Sequence, residues 1–122
     1  MHSRPLFFAQ FGVLAIVSVT HVVATLYALY WHYIWLDLPV HFMGGMWAAL
    51  VFAWIALLRS WKYADSFAVT LVFVLAVSIA WELFELFVGV PREANFAFDT
   101  SLDLTMDITG GVIGYALARA LT

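Results

Sequence analysis

The chain contains no cysteine, and only 11% of its 122 residues are charged. Without cysteine it can form neither a disulfide nor a thiolate metal site. Soluble domains carry about 25% charged residues, so this chain has too little polar surface to cover itself in water. The net charge of −3 also argues against nucleic acid, which attracts basic surfaces. These absences favour a chain whose solvent is lipid.

Hydrophobic residues make up 66% of the sequence and are concentrated in four long runs. A transmembrane helix needs about 20 predominantly apolar residues, and each run is near that length. The predicted fold is therefore all-α: one integral membrane domain, residues 1–122, built as a bundle of four transmembrane helices. The predicted spans are residues 6–30, 38–58, 66–88 and 101–120.

The ends of these runs carry recognisable signals. Arg4 precedes the first run, as in a signal peptide, but the apolar core of a signal peptide has only about 7–15 residues, so we predict a retained span. Pro39 suits the first turn of the second helix, and Pro91 helps to end the third. The pattern Thr100-x-x-Asp103 is typical of a capping box and predicts the start of the fourth helix.

Seven ionisable residues fall at one predicted depth, in the outer half of the membrane. They are Asp37, His41, Glu82, Glu85, Asp99, Asp103 and Asp107. Within each span they are three or four residues apart, so they share a helix face. A charge at the centre of a membrane helix costs about 2.5–3.5 kcal/mol, and such residues normally face the bundle interior. We therefore predict one polar site formed by three helices.

Glycines follow two of these residues on the same faces. Gly45 lies four residues after His41, and Gly111 lies four residues after Asp107. Small residues allow membrane helices to approach closely, so we expect contact between the second and fourth spans to hold His41 near Asp107, with Glu82 against them. The predicted packing residues are Gly44, Gly45, Gly110, Gly111 and Gly114.

Each polar residue also has a purely structural interpretation. The acids near helix starts can act only as capping groups, and Glu85 lies close enough to the surface to reach water. His21, alone among apolar neighbours, is typical of a hydrogen-bonded structural residue. His41, Glu82 and Asp107 fit these interpretations least, because they lie deep and none is placed to cap. A structural network of interhelical hydrogen bonds is the alternative for these three.

The same residues form a pattern that resembles a known family. It reads Asp37-x-x-x-His41-Phe42-x-x-Gly45, then Trp81-Glu82-x-x-Glu85, then Asp99-Thr100-x-x-Asp103-x-x-x-Asp107-x-x-Gly110-Gly111. Over roughly residues 37–115 it resembles the YjdF-like bacterial inner-membrane proteins and is more distantly similar to the VanZ-like family. The resemblance implies a multi-pass protein of the inner (plasma) membrane. The YjdF-like group has no settled activity, whereas VanZ-type function would be glycopeptide resistance at the cell envelope.

Four functions fit these observations. The favoured hypothesis is a site that binds or processes a polar cell-envelope molecule, either a lipid headgroup or a cell-wall precursor. A metal-dependent membrane enzyme is the second, with a divalent metal held by His41, Glu82, Asp103 and Asp107. A cation or proton carrier is the third; it would need a homo-oligomer, because the inner half offers no polar path. A structural subunit is the fourth. No pattern identifies catalytic residues.

The few cations predict the orientation and provide a test of it. With four spans, the two termini and the second linker share one side, which holds Arg4, Arg59, Lys62 and Arg119. The other side holds Arg92. By the positive-inside rule both termini are cytoplasmic.

We expect a cysteine introduced at Asn95, but not one at Ser3, to react with an impermeant thiol reagent on intact cells. Asn95 lies in the third linker, which the cation distribution places outside. The native chain has no cysteine, so it is a background-free control. Labelling of the cysteine at position 3 but not of the one at position 95 would show that the orientation is the reverse of the predicted one.

Overall fold

The computed structural model describes residues 3–89 and 96–122, and these residues contain helices and no strand. The four long helices are α1 (Arg4–Leu26), α3 (Asp37–Leu58), α4 (Phe67–Val88) and α5 (Phe96–Leu121). Between α1 and α3 lie a one-turn helix, α2 (Leu29–His32), and a 3-10 turn over Ile34–Leu36. The predicted all-α fold is confirmed.

Three helical segments have the length and apolarity needed to cross a membrane: α1, the segment Ile34–Leu58, and α4. The helix α5 has 26 residues, about 39 Å at 1.5 Å per residue, which is long enough. Its aspartates and hydroxyl side chains make it less apolar than the other three. Three of the predicted spans are thus supported, and the fourth crossing stays a prediction.

Two helix boundaries differ from the predicted ones. The first helix ends at Leu26 rather than at residue 30, because the chain turns through Ala28, whose φ is 55°. The last helix begins at Phe96, so Thr100 and Asp103 lie inside it and the predicted capping box is wrong. The Thr100 hydroxyl is buried without a hydrogen-bond partner instead of capping a helix.

The other helix ends show how the local sequence sets them. Asp37 is the first residue of α3 and Leu36 occupies the N-cap position, so the alternative of an N-cap role for Asp37 is wrong. Ser66 caps α4, where its hydroxyl accepts a hydrogen bond from the Val69 N–H at 3.3 Å. Gly89 ends α4 with φ of 75°, a conformation that glycine adopts without steric cost. Pro91 lies outside the described residues.

The helix α3 is the centre of the bundle and packs against α1, α4 and, most extensively, α5. Its buried residues repeat every three or four positions and include His41, Gly45, Ala48, Ala49, Phe52 and Ala56. The buried residues of α5 follow the same spacing: Asp103, Asp107, Gly110, Gly111, Gly114 and Ala118. Each stripe begins with ionisable residues and continues with small ones, so the polar site and the close contact lie on the same faces.

Glycines bring the α3 and α5 backbones into direct contact. A Cβ added to Gly45 would overlap the backbone carbonyl of Asp107, and one added to Gly110 would overlap the carbonyl of Phe42. A Cβ on Gly114 would lie 2.6 Å from the carbonyl oxygen of Met46. The contacts advance in the same direction along both helices, which therefore run parallel.

The other two predicted packing glycines lie elsewhere. Gly111 faces α4, where an added Cβ would lie 3.0 Å from a methyl group of Val74. Gly44 has open space beside it, with no atom within 4 Å of an added Cβ. Contact between α3 and α5 therefore involves Gly45, Gly110 and Gly114.

Adjacent glycines in α3 provide a matched test of this contact. We expect Gly45→Ala to lower the free energy of unfolding by about 1–3 kcal/mol, the usual cost of inserting a methyl group into a packed interior. Gly44→Ala should leave it unchanged or slightly raised, because its Cβ enters open space. Equilibrium unfolding in detergent measures both. Equal stability of the two variants would contradict backbone contact at Gly45.

Candidate functional site

His41 is the central residue of a buried polar cluster at one end of the bundle. It lies in the second turn of α3, with 6% of its surface exposed. Its Nδ1 atom is 3.2 Å from Asp107 Oδ1 and 3.3 Å from Oδ2. When the ring carries its proton on Nδ1, His41 donates this hydrogen bond to the Asp107 carboxylate.

The opposite ring nitrogen faces two further carboxylates. His41 Nε2 is 3.5 Å from Asp37 Oδ1 and 3.6 Å from Asp103 Oδ2. These distances exceed those of good N–H···O hydrogen bonds, about 2.7–3.2 Å. Asp103 is only 3% exposed, and its Oδ1 atom has no hydrogen-bond partner. We call these four residues, Asp37, His41, Asp103 and Asp107, the Asp–His cluster.

The charges of the Asp–His cluster do not balance. Three carboxylates surround one imidazole, and among residues 3–89 and 96–122 no lysine or arginine forms an ion pair with them. Buried carboxylates at this separation cannot all stay ionised without a compensating positive charge. Either bound protons or a cation must therefore supply it.

Tyr30, on the adjoining helix α2, lies close to the acids of the site. Burial, followed by the charges of Asp37 and Glu85, raises the pKa of the Tyr30 phenol to about 12. Tyr30 also hydrogen-bonds to His21 Nδ1 at 2.9 Å, and the His21 ring contacts Trp81 edge-on. His21 thus has the hydrogen bond expected of a structural histidine, and Tyr30 lies beside the acids.

Helix spacing and helix packing together assemble the cluster. Asp37 and His41 are one turn apart on α3, and Asp103 and Asp107 are one turn apart on α5. The contact of Gly45 with the Asp107 backbone sets the level at which the two helices meet. Asp37, in the first turn of α3, also lies where the positive end of the helix dipole favours a carboxylate.

The remaining predicted acids lie around the cluster. Glu82 is buried in α4, and Glu85, one turn later, is half-buried and within electrostatic range of Glu82, His41 and Asp37. Asp99 is partly exposed in the first turn of α5.

Three side chains place ligand atoms within 4.8 Å of one another: Asp37, His41 and Asp103. This group differs from the predicted ligand set in two ways. Asp37 replaces Glu82, which is not part of the group. Asp107 contacts the far side of the His41 ring and so supports the histidine instead of joining the three.

Comparison with known proteins agrees with the membrane character of these helices. A family model described as a predicted membrane protein, DUF2238, matches residues 6–122. No curated protein and no solved structure matches the chain. DUF2238 is the YjdF-like family, so that resemblance is confirmed, while a relationship to VanZ-like proteins is not shown. The chain therefore belongs to the DUF2238 family of predicted membrane proteins.

Proposed function

We propose that this protein binds a divalent metal ion at the Asp–His cluster and uses it to bind or process a polar cell-envelope molecule at the membrane surface. The observation that carries the proposal is the orientation of His41. Its Nδ1 is held by Asp107, while its Nε2 faces Asp37 and Asp103. Metal-binding histidines almost always donate their other N–H to a carboxylate or carbonyl in this way.

The two distances from His41 Nε2 to its neighbouring carboxylates support a metal. At metal–ligand distances of about 2.0–2.2 Å, the edges of a tetrahedral site are about 3.3–3.6 Å long. The distances from His41 Nε2 to Asp37 and Asp103 are 3.5 and 3.6 Å. They are long for hydrogen bonds but right for two ligands of one ion.

Charge balance supports the same conclusion. With the proton on Nδ1, the lone pair of His41 Nε2 points toward two carboxylates, so three electron-rich atoms face one another. A divalent cation between them would bind all three and would also engage the Asp103 carboxylate, one oxygen of which is buried without a hydrogen-bond partner. Nitrogen and oxygen ligands together favour Zn²⁺, Mn²⁺ or Fe²⁺ over Mg²⁺, which prefers oxygen alone.

The position of the cluster suggests how a ligand reaches it. Asp37, at the start of α3, has 37% of its side chain exposed, so the site is accessible from the end of the bundle. Three protein ligands leave a fourth position for water or a polar group, the arrangement of catalytic rather than structural zinc sites. If α5 is the fourth span, this position lies near the membrane surface. A lipid headgroup or a cell-wall precursor is the class of molecule that would reach it there.

Metal content tests the proposal directly. Purified wild-type protein incubated with Zn²⁺ or Mn²⁺ and then desalted should retain about one ion per chain, measured by mass spectrometry. His41→Ala and Asp103→Asn should retain little, because each removes one of three ligands. Glu85→Gln is the matched control, since it removes a nearby acid outside the ligand group. A wild-type chain that retains no ion would leave bound protons as the compensating charge and refute the proposal.

Asp107 should behave differently from the ligands. We expect Asp107→Asn to weaken metal affinity about 10- to 100-fold, the usual effect of losing a carboxylate that supports a metal-binding histidine, while saturation still reaches one ion per chain. Competition with a chelator measures the affinity, and Asp99→Asn serves as the control. If Asp107→Asn abolished binding even at saturation, Asp107 would itself be a ligand.

A further inference from the structure

A second polar region lies at the opposite end of the bundle, where the cations gather. A cavity of about 250 Å³ opens there between α1, α3, α5 and the linker that joins α3 to α4. Its buried lining is largely apolar: it includes Leu6, Ala49 and Ala118, together with the polar Thr70 of α4. Its exposed lining includes Lys62 and Arg119. The cavity thus combines an apolar interior with a cationic mouth.

The side chains at the mouth carry a net positive charge. Lys62 and Arg119 are accompanied by one carboxylate side chain, that of Asp65, which lies 3.5 Å from Arg119. Both members of this pair are exposed, so the ion pair is weak and Arg119 can exchange Asp65 for another anion. Lys62 lies 4.8 Å from the ring centre of Tyr63, and within residues 3–89 and 96–122 no carboxylate pairs with it.

Aromatic contacts hold the walls of the cavity in place. The Tyr115 hydroxyl donates a hydrogen bond of 2.8 Å to the Asp65 carbonyl, and its ring packs edge-on against Phe67. On the other side, the backbone N–H of Trp61 bonds to the Ala56 carbonyl at 2.9 Å, which folds the linker back over the end of α3. The mouth is therefore formed by a linker fixed at both of its ends.

We propose that this cavity binds an anionic phospholipid, with the phosphate at Lys62 and Arg119 and part of an acyl chain along the apolar lining. The volume is below the range of about 300–1,000 Å³ typical of pockets for drug-sized ligands, so it fits a segment of a lipid rather than a whole one. The predicted orientation puts this end at the cytoplasmic leaflet, where anionic lipids attract basic residues. This site is independent of the Asp–His cluster.

Lipid titration followed by native mass spectrometry tests the proposal. The detergent-solubilised chain, with chelator present, is titrated with phosphatidylglycerol, with phosphatidylcholine of the same acyl chains, and with inorganic phosphate. We expect phosphatidylglycerol to bind at least tenfold more tightly than phosphatidylcholine. Lys62→Gln combined with Arg119→Gln should remove that preference, since each basic residue near an anionic lipid contributes roughly fivefold.

Two further variants separate this site from general charge effects. Arg59→Gln removes a cation from the same end of the bundle without altering the cavity lining and should keep the preference. Ala53→Leu fills part of the cavity without changing the charge and should weaken the binding of both lipids. Equal binding of the two lipids, or an equal loss in Arg59→Gln, would overturn the proposal. If inorganic phosphate bound as tightly as phosphatidylglycerol, the ligand of the site would be a free anion and the lipid proposal would be wrong.

Discussion

The backbones of α3 and α5 touch where Gly45 meets the carbonyl of Asp107, and this contact sets the register of the bundle. Any side chain at Gly45 or Gly110 would force the helices apart. Because the helices meet at this level, the imidazole of His41 reaches the Asp107 carboxylate without crossing lipid. Charged groups in a membrane interior are tolerated when they have partners. Close backbone packing brings the partners of the cluster together and so lowers the free-energy cost of burying them.

The bundle separates its charges along its length. The Asp–His cluster and the α4 acids lie at one end, whereas Arg59, Lys62 and Arg119 lie at the other. Three carboxylates around one imidazole suit a cation, while exposed basic residues around a largely apolar cavity suit an anionic amphiphile. One short chain thus carries regions of opposite charge at the two ends of its bundle.

Helical spacing and hydropathy predicted much of this arrangement but not all of it. His41, Asp103 and Asp107 follow from residues one turn apart beside glycines, a pattern that needs no tertiary information. The contact of Gly111 with α4 could not be predicted in the same way. The sequence does not distinguish a glycine that faces α3 from one that faces α4, and only the structure shows that Gly111 packs against Val74. The start of α5 was misplaced because Thr100 and Asp103 match a capping pattern, although tertiary contact with His41 turns Asp103 inward. Asp37 was left out of the predicted metal-ligand set because capping explained it equally well, although its carboxylate lies with His41 and Asp103 in the group that could hold an ion.

The different starting points of α3 and α5 have a consequence for the shape of the membrane surface around the site. Asp107 is level with His41, yet α5 begins eleven residues before Asp107 and α3 only four before His41. The start of α5 therefore extends about 10 Å beyond the start of α3 at 1.5 Å per residue. Because Asp107 lies at the depth of His41, the first two turns of α5, which include Asp99, would lie among the lipid headgroups on one side of the site. The start of α5 would therefore flank the approach of a molecule to the cluster on one side.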